Sequence, residues 1–217
     1  MQGAPGIPLN IFRMSEKEWY TLLVESNCTK EVVGEREEFI KCRVERANLD
    51  TDWENSWLLA RLQGLGPENI SFMFKLLHQL LPTKERVARV KPNESPVCRA
   101  QGCQANIVEN LPHALFFCQA NDGVGLKLVE CLQDVQPDLL PDAVLRLELR
   151  VEKELELPLV WLLSSMLRII WNLRQSNTRV RHYLVRSQLE AEINLLRETR
   201  YKNIVPTIVE IAGNLLR

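Results

Sequence analysis

Three cysteines and one histidine fall as Cys98-x4-Cys103-x9-His113-x4-Cys118, and no other feature restricts the possible folds as much. Two thiols close together, then an imidazole and a third thiol after a loop, match the order of a four-coordinate tetrahedral zinc site. Cys98 and Cys103 straddle Arg99-Ala100-Gln101-Gly102, where Gly102 is free to take the left-handed backbone of a tight turn. Asn110 is placed to cap a helix, Pro112 is tolerated in its first turn, and Leu111, Ala114, Leu115 and Phe117 complete an apolar set. His113 and Cys118 stand five residues apart, about 140° around a regular α-helix. They cannot face one ion from such a helix, so the spacing predicts that it loosens near Phe117 and lets Cys118 swing in. Taken singly, a cysteine is more often a small buried hydrophobe and a histidine a packed ring. Four such residues within the 21 from Cys98 to Cys118 favour a metal. Cys98, Cys103, His113 and Cys118 are the expected ligands of a structural Zn2+ with no open coordination position.

The remaining cysteines fit that reading. Six in 217 residues do not make a secreted disulfide framework, and the opening MQGAPGIPLN lacks the apolar core of a secretion signal. The expected compartment is intracellular and reducing, nucleus or cytoplasm, where clustered Cys and His favour metal over disulfide. Cys28, Cys42 and Cys131 read as plain thiols. Leu155 to Trp171 is the longest apolar run, but Glu156, Ser164-Ser165 and Arg168 interrupt it. It reads as a buried helix, with no membrane partner implied.

The rest of the chain has helical punctuation, and the expected fold class is all-α with a small Cys-Cys-His-Cys zinc knuckle inserted between helices. Three segments are expected: an N-terminal helix and charged linker at 1–48, helices plus the knuckle at 49–123, and a C-terminal helical region at 124–217. Ser15 and Glu18 form a capping box for a helix over 15–27, and 29–48 is a highly charged helix or linker. Thr51 to Glu54 opens a helix carrying Trp53, Trp57, Leu58 and Leu62, which Gly64-Leu65-Gly66 ends. Pro67 starts the next, with Ile70, Phe72, Phe74, Leu76, Leu77, Leu80 and Leu81 on it; its width predicts a central position, and His78 on it reads as packed or exposed and not as a ligand. Pro82-Thr83 breaks the chain before a short basic helix. Leu145 to Glu152 alternates with strand period, but a lone strand has no partner, so an extended segment or short helix is expected. Two long helices, at about 158–176 and 179–200, and a last one over 206–216 close the chain.

A formal net charge of −1 excludes a globally basic protein, so any nucleic-acid contact has to come from local patches. Lys84, Arg86, Arg89, Lys91 and Arg99 surround the knuckle, and Arg174, Arg179, Arg181 and Arg186 come after it. Such density can neutralise phosphates, although charged helix faces are often only solvated. Trp171, His182 and Tyr183 lie close enough in sequence to stack on bases, or to be core. Ser164-Ser165 have no nearby histidine, and no Gly-rich phosphate loop exists, so neither a catalytic residue nor a small-molecule substrate is expected.

The stretch Leu59 to Pro92 with the knuckle after it resembles the zinc-binding region downstream of the polymerase in reverse transcriptases of LINE-type, non-LTR retrotransposons. The shared features are an apolar aromatic helix (Phe72 to Leu81), the Leu81-Pro82-Thr83 break, a basic helix with Glu85-Arg86-Val87, and His113-Ala114-Leu115 before the last cysteine. Ile170-Trp171-Asn172-Leu173-Arg174 and Leu189-Glu190-Ala191 are similar to the segment C-terminal to the knuckle in these elements. The Cys98–Cys103 gap is wider than the family's usual one, and the polymerase Tyr-x-Asp-Asp signature is missing. The resemblance implies a C-terminal fragment or remnant of a larger polyprotein, not an enzyme in itself. It implies a nucleic-acid-binding module that positions an RNA template or target DNA. A protein-interaction scaffold is the alternative. Some of these elements carry a restriction-like endonuclease after the knuckle, for which Asp138 or Asp142 with Glu148-Leu149-Arg150 is the remote candidate.

Overall fold

A computed structural model describes residues 52–91, 93–103, 107–176 and 178–213. The expected helix at 15–27 and the charged segment at 29–48, with Cys28 and Cys42, lie outside the described residues. Those described form α1 (Trp53–Leu59), α2 (Pro67–Leu77), α3 (Lys84–Val90), a π-helical turn (His113–Phe117), α4 (Val124–Gln133), α5 (Pro141–Leu145), α6 (Lys153–Gln175), α7 (His182–Arg197) and α8 (Val205–Ile211). Among the described residues there is no strand, only the isolated bridges Gln63–Leu65 and Val97–Val108. The mostly helical class expected from the sequence is what forms. Among the described residues no helix is long and apolar enough to cross a membrane.

α6 is the axis. Leu159, Val160, Trp161, Leu162, Leu163, Met166, Leu167, Ile169, Ile170, Trp171 and Leu173 are all buried on it, so it is apolar around most of its circumference. A helix of that kind needs neighbours on every side. α1, α2, α4, α7, α8 and the π-turn supply them, and one core runs from Leu59 to Ala212. The helix starts five residues before the expected start at Pro158, because half-buried Leu155 and Leu157 pack the added turn against the core. Packing overrides the proline there, which costs one ladder hydrogen bond. α7 contributes Val185, Leu189, Ile193 and Leu196, a spacing of one helical face.

α2 is central, as its apolar width predicts, but it is not apolar all round. Phe72, Met73, Leu76 and Leu77 are buried, while Phe74 and Leu80 are 38% and 42% exposed. The helix stops at Leu77 with His78 as C-cap, and Gln79 turns left-handed at φ 54° just before Pro82. His78 is exposed and lies against Trp57 and Phe74, at ring-centroid distances of 4.7 and 4.3 Å. It takes no part in the Cys/His cluster.

Polar residues cross-link this core. Asn69 on α2 donates from Nδ2 to Ser165 Oγ at 3.0 Å and accepts from Arg168 Nε at 2.8 Å. Arg168 also pairs with Glu68 at 2.9 Å and Glu192 at 2.6 Å, so one guanidinium joins α2, α6 and α7. The buried Ser164 donates to Trp161 O at 3.0 Å.

Three local expectations change. The cap of α1 is Asp52, whose carboxylate accepts from Asn55 N–H, and Leu58 faces solvent. Leu145 to Glu152 holds the end of α5 and a left-handed turn at Leu147, φ 56°. Its alternation arises because Leu147 and Leu149 reach the core from irregular backbone. Within it Arg146 pairs with Glu148 at 2.6 Å. Finally, α7 is shorter than expected at both ends, and α8 begins at Val205 after a 3-10 turn at Lys202–Ile204.

Candidate metal centre

The centre is assembled from two pieces of backbone. The first is a narrow antiparallel loop: Cys98 N–H donates to Ile107 O at 2.8 Å, and Glu109 N–H to Pro96 O at 2.9 Å. At its tip Gly102 takes φ 90° and Cys103 N–H closes on Ala100 O at 3.0 Å. Gly102 thus does what the sequence requires of it, folding the x4 gap back so that two thiols point the same way.

The second piece is the π-turn. Asn110 Oδ1 accepts from His113 N–H at 2.9 Å, the expected cap. Cys118 N–H then bonds to His113 O at 2.8 Å, an i→i+5 closure in place of the α-helical one. The wider turn stacks residue 118 almost over residue 113, so the five-residue spacing that fails in an α-helix works here. Loosening near Phe117 is therefore found, in the form of a π-helical turn.

Two further residues hold this turn. Asn121 is fully buried and donates to Ala114 O at 2.6 Å and Leu115 O at 3.4 Å, carbonyls that the π geometry frees. Gly125, at the start of α4, lies so close that an added Cβ would sit 2.0 Å from Leu115 O. The sequence marks Asn121 as a turn residue only, and Gly125 as part of a helix; no local signal shows either contact.

The four side chains meet. One ligand atom from each of Cys98, Cys103, His113 and Cys118 lies within 4.8 Å of every other, and the group can hold a metal ion. Cys98 Sγ is 3.9 Å from Cys118 Sγ, and Cys103 Sγ is 3.4 Å from His113 Nε2. Cys98, His113 and Cys118 are buried and Cys103 is half-buried. Cys131 is buried in the core cluster, apart from the other three.

The electrostatics favour a cation at the centre. Burial pushes the Cys98 thiol up, and the neighbouring Cys118 adds to that. Cys103 is pushed up to about 12, first by burial and then by the other two cysteines. Burial and the Arg174 charge hold His113 below the ordinary imidazole range, with Glu109 opposing. Cys98 and Cys103, crowded out of water, resist ionising, and a divalent cation removes that resistance by giving each thiolate a partner.

Arg174 and Glu109 sit directly behind the sulfurs. Arg174 Nη2 is 3.6 Å from Cys98 Sγ and 2.7 Å from Glu109 Oε2, and Nη1 donates to Asn121 Oδ1 at 3.0 Å. Their side chains are 6% and 10% exposed. Glu109 Oε1 also accepts from Lys84 N–H at 3.2 Å, and its carbonyl accepts from Glu85 N–H at 3.1 Å, so the start of α3 hangs on the same residue.

Arg174 is therefore a correction to the expected phosphate-binding set: its guanidinium is enclosed and bonded to Cys98, Glu109 and Asn121. The other eight are at or near the surface. Lys91, Arg99 and Arg179 are exposed, and Arg179 lies beside the Gly102 turn. Arg86 donates to Gln79 O at 2.5 Å, Arg89 pairs with Glu85, and Arg186 pairs with Glu190 at 2.9 Å. Lys84 and Arg181 are half-buried. Of the three candidate stacking residues, Trp171 is buried in the core, His182 is half-buried, and Tyr183 is 66% exposed. Compared with protein-family models, curated proteins and solved structures, the chain gives no significant match.

Proposed function

We propose that the described residues form a zinc-stabilised, non-catalytic nucleic-acid-binding module. The observation that carries the metal half is the separation of the ligand atoms. Zn–S bonds of about 2.3 Å and a Zn–N bond of about 2.05 Å in a tetrahedron put sulfurs about 3.8 Å apart and sulfur and nitrogen about 3.6 Å apart. Two of the six separations, 3.9 and 3.4 Å, match that sphere, and all six lie within 4.8 Å. Three sulfurs and one nitrogen are the donors of a closed structural site, not of a catalytic one with a position for water. Held there, zinc would join the Cys98–Cys103 loop to the π-turn, contributing on the order of 10 kcal/mol to folding.

The nucleic-acid half rests on the resemblance to the region after the polymerase in LINE-type reverse transcriptases, and on Lys84, Arg86, Arg89, Lys91, Arg99, Arg179, Arg181 and Arg186 at or near the surface. In that setting the module positions an RNA template or target DNA for the chemistry of another domain. A second reading, a scaffold for a protein partner, draws on Arg89 and Arg186 being paired with Glu85 and Glu190.

Two measurements decide. Elemental analysis of protein purified without added metal should give one zinc per chain, lost in Cys103→Ser. Fluorescence anisotropy with RNA and DNA oligonucleotides should show binding that falls steeply with salt. A surface touching about five phosphates gives a log–log slope near −4.5 on duplex DNA and about −3.5 on single strands. No binding at low salt overturns the nucleic-acid reading in favour of the scaffold.

A further inference from the structure

The geometry assigns Arg174 as the outer-sphere cation of the metal centre, with Glu109 as the group that limits how much of its charge the sulfurs receive. This rests on the zinc reading above and goes beyond it by naming what sets the affinity of the site. A zinc ion with three thiolates and a neutral imidazole carries a net charge of −1, in a place with little water to disperse it. Arg174 comes from the last turn of α6, 76 residues after Cys98, and puts Nη2 3.6 Å from that sulfur. It also interacts with the Cys118 sulfur, and Glu109 Oε2 and Asn121 Oδ1 hold the guanidinium in that direction. An arginine cannot lose its charge on burial as a lysine can. Counted together, the zinc, its four ligands, Arg174 and Glu109 sum to −1.

That count gives opposite signs for two neighbouring substitutions. Arg174→Gln takes the sum to −2 and should weaken binding. Glu109→Gln takes it to 0 and should strengthen binding; its one amide oxygen can keep either Arg174 Nη2 or Lys84 N–H, the other then facing the amide NH2. Arg174→Lys, whose ammonium Glu109 and the thiolate sulfurs beside it would hold in the charged form, should stay near the native value.

The test uses the full chain, titrated with Co2+ and then competed with Zn2+, reading the thiolate-to-cobalt absorption band and the dissociation constant. Iodoacetamide alkylation of the loaded protein gives a second readout. The expected result is a loss of about 10- to 100-fold for Arg174→Gln, the usual effect of removing an outer-sphere partner. Arg174→Lys should lie within a few-fold of native, and Glu109→Gln should bind severalfold more tightly and alkylate more slowly. If Arg174→Gln does not fold, the other two variants still decide. Weaker binding in Glu109→Gln, or Arg174→Lys as weak as Arg174→Gln, means that the pair only props up the loop and overturns the assignment. A native chain that binds neither ion overturns the zinc reading itself, a different outcome from a native chain that binds with the variants in the wrong order.

Discussion

Gly125→Ala tests the central piece of local geometry, the contact between the start of α4 and the π-turn. Gly125 is the second residue of α4, a place where alanine ordinarily stabilises a helix by up to about 1 kcal/mol. Here the added Cβ would fall 2.0 Å from Leu115 O, 2.9 Å from Leu115 C and 3.0 Å from Phe116 Cα. A carbon and a carbonyl oxygen rest at about 3.3 Å or more, so the two backbones must part by about 1 Å. All three atoms are main-chain or carbonyl, so no rotamer change relieves the clash. Overpacking of this kind costs about 1–3 kcal/mol, and the propensity gain offsets part of it, leaving roughly 1–2 kcal/mol of destabilisation. Leu115 lies between His113 and Cys118, so the displacement also moves one ligand relative to the other. A loss of about 1.4 kcal/mol in metal binding is tenfold in affinity. Urea unfolding of the metal-free chain reads the first effect, and Co2+/Zn2+ competition reads the second. An alanine variant at least as stable as the native chain, with native metal affinity, would refute the account of the π-turn.

Other outcomes rest on the same contacts. Asn121→Leu removes the donor to Ala114 O and Leu115 O and the acceptor for Arg174, and should destabilise by about 2–3 kcal/mol, measured by chemical denaturation. Arg168→Met strands Asn69 Oδ1 and Glu192 and should cost about 2–4 kcal/mol; a loss below about 0.5 kcal/mol would mean that the α2–α6–α7 link is only superficial. In the metal-free chain, the raised Cys98 and Cys103 thiols contribute stability that is complete below the ordinary thiol value of 9.0 and is lost as pH climbs through their folded values, about 12 for Cys103. The depressed His113 contributes stability that is complete above 6.5 and is lost as pH falls through its folded value. Urea midpoints with chelator present should therefore peak between those limits, and zinc should remove the alkaline decline; a flat metal-free profile contradicts both assignments. Lys91→Glu with Arg99→Glu should weaken oligonucleotide binding and flatten its salt slope, while Arg174→Gln should leave that slope unchanged.

Residue order alone is enough for whatever depends on near neighbours. The cysteine and histidine spacing, Gly102 at the tip of the loop, Asn110 as a cap and Pro67 at a helix start all act over a few residues. So does the mismatch of a five-residue step with a helix of 3.6 residues per turn, which is why the loosened turn near Phe117 is legible before any coordinates. Contacts that join distant parts of the chain emerge only when it folds. Arg174 looks like one more surface cation until α6 is packed, and its partners Glu109, Asn121 and Cys98 lie 65, 53 and 76 residues away. Gly125 reads as an unremarkable helical glycine until the π-turn is laid against it. The alternation from Leu145 to Glu152 even points to the wrong geometry, because burying every second side chain requires only that the core be within reach, and irregular backbone meets that condition as well as a strand does. Periodicity reports which side chains leave water; which partner and which backbone receive them is settled when the whole chain competes for the same interior.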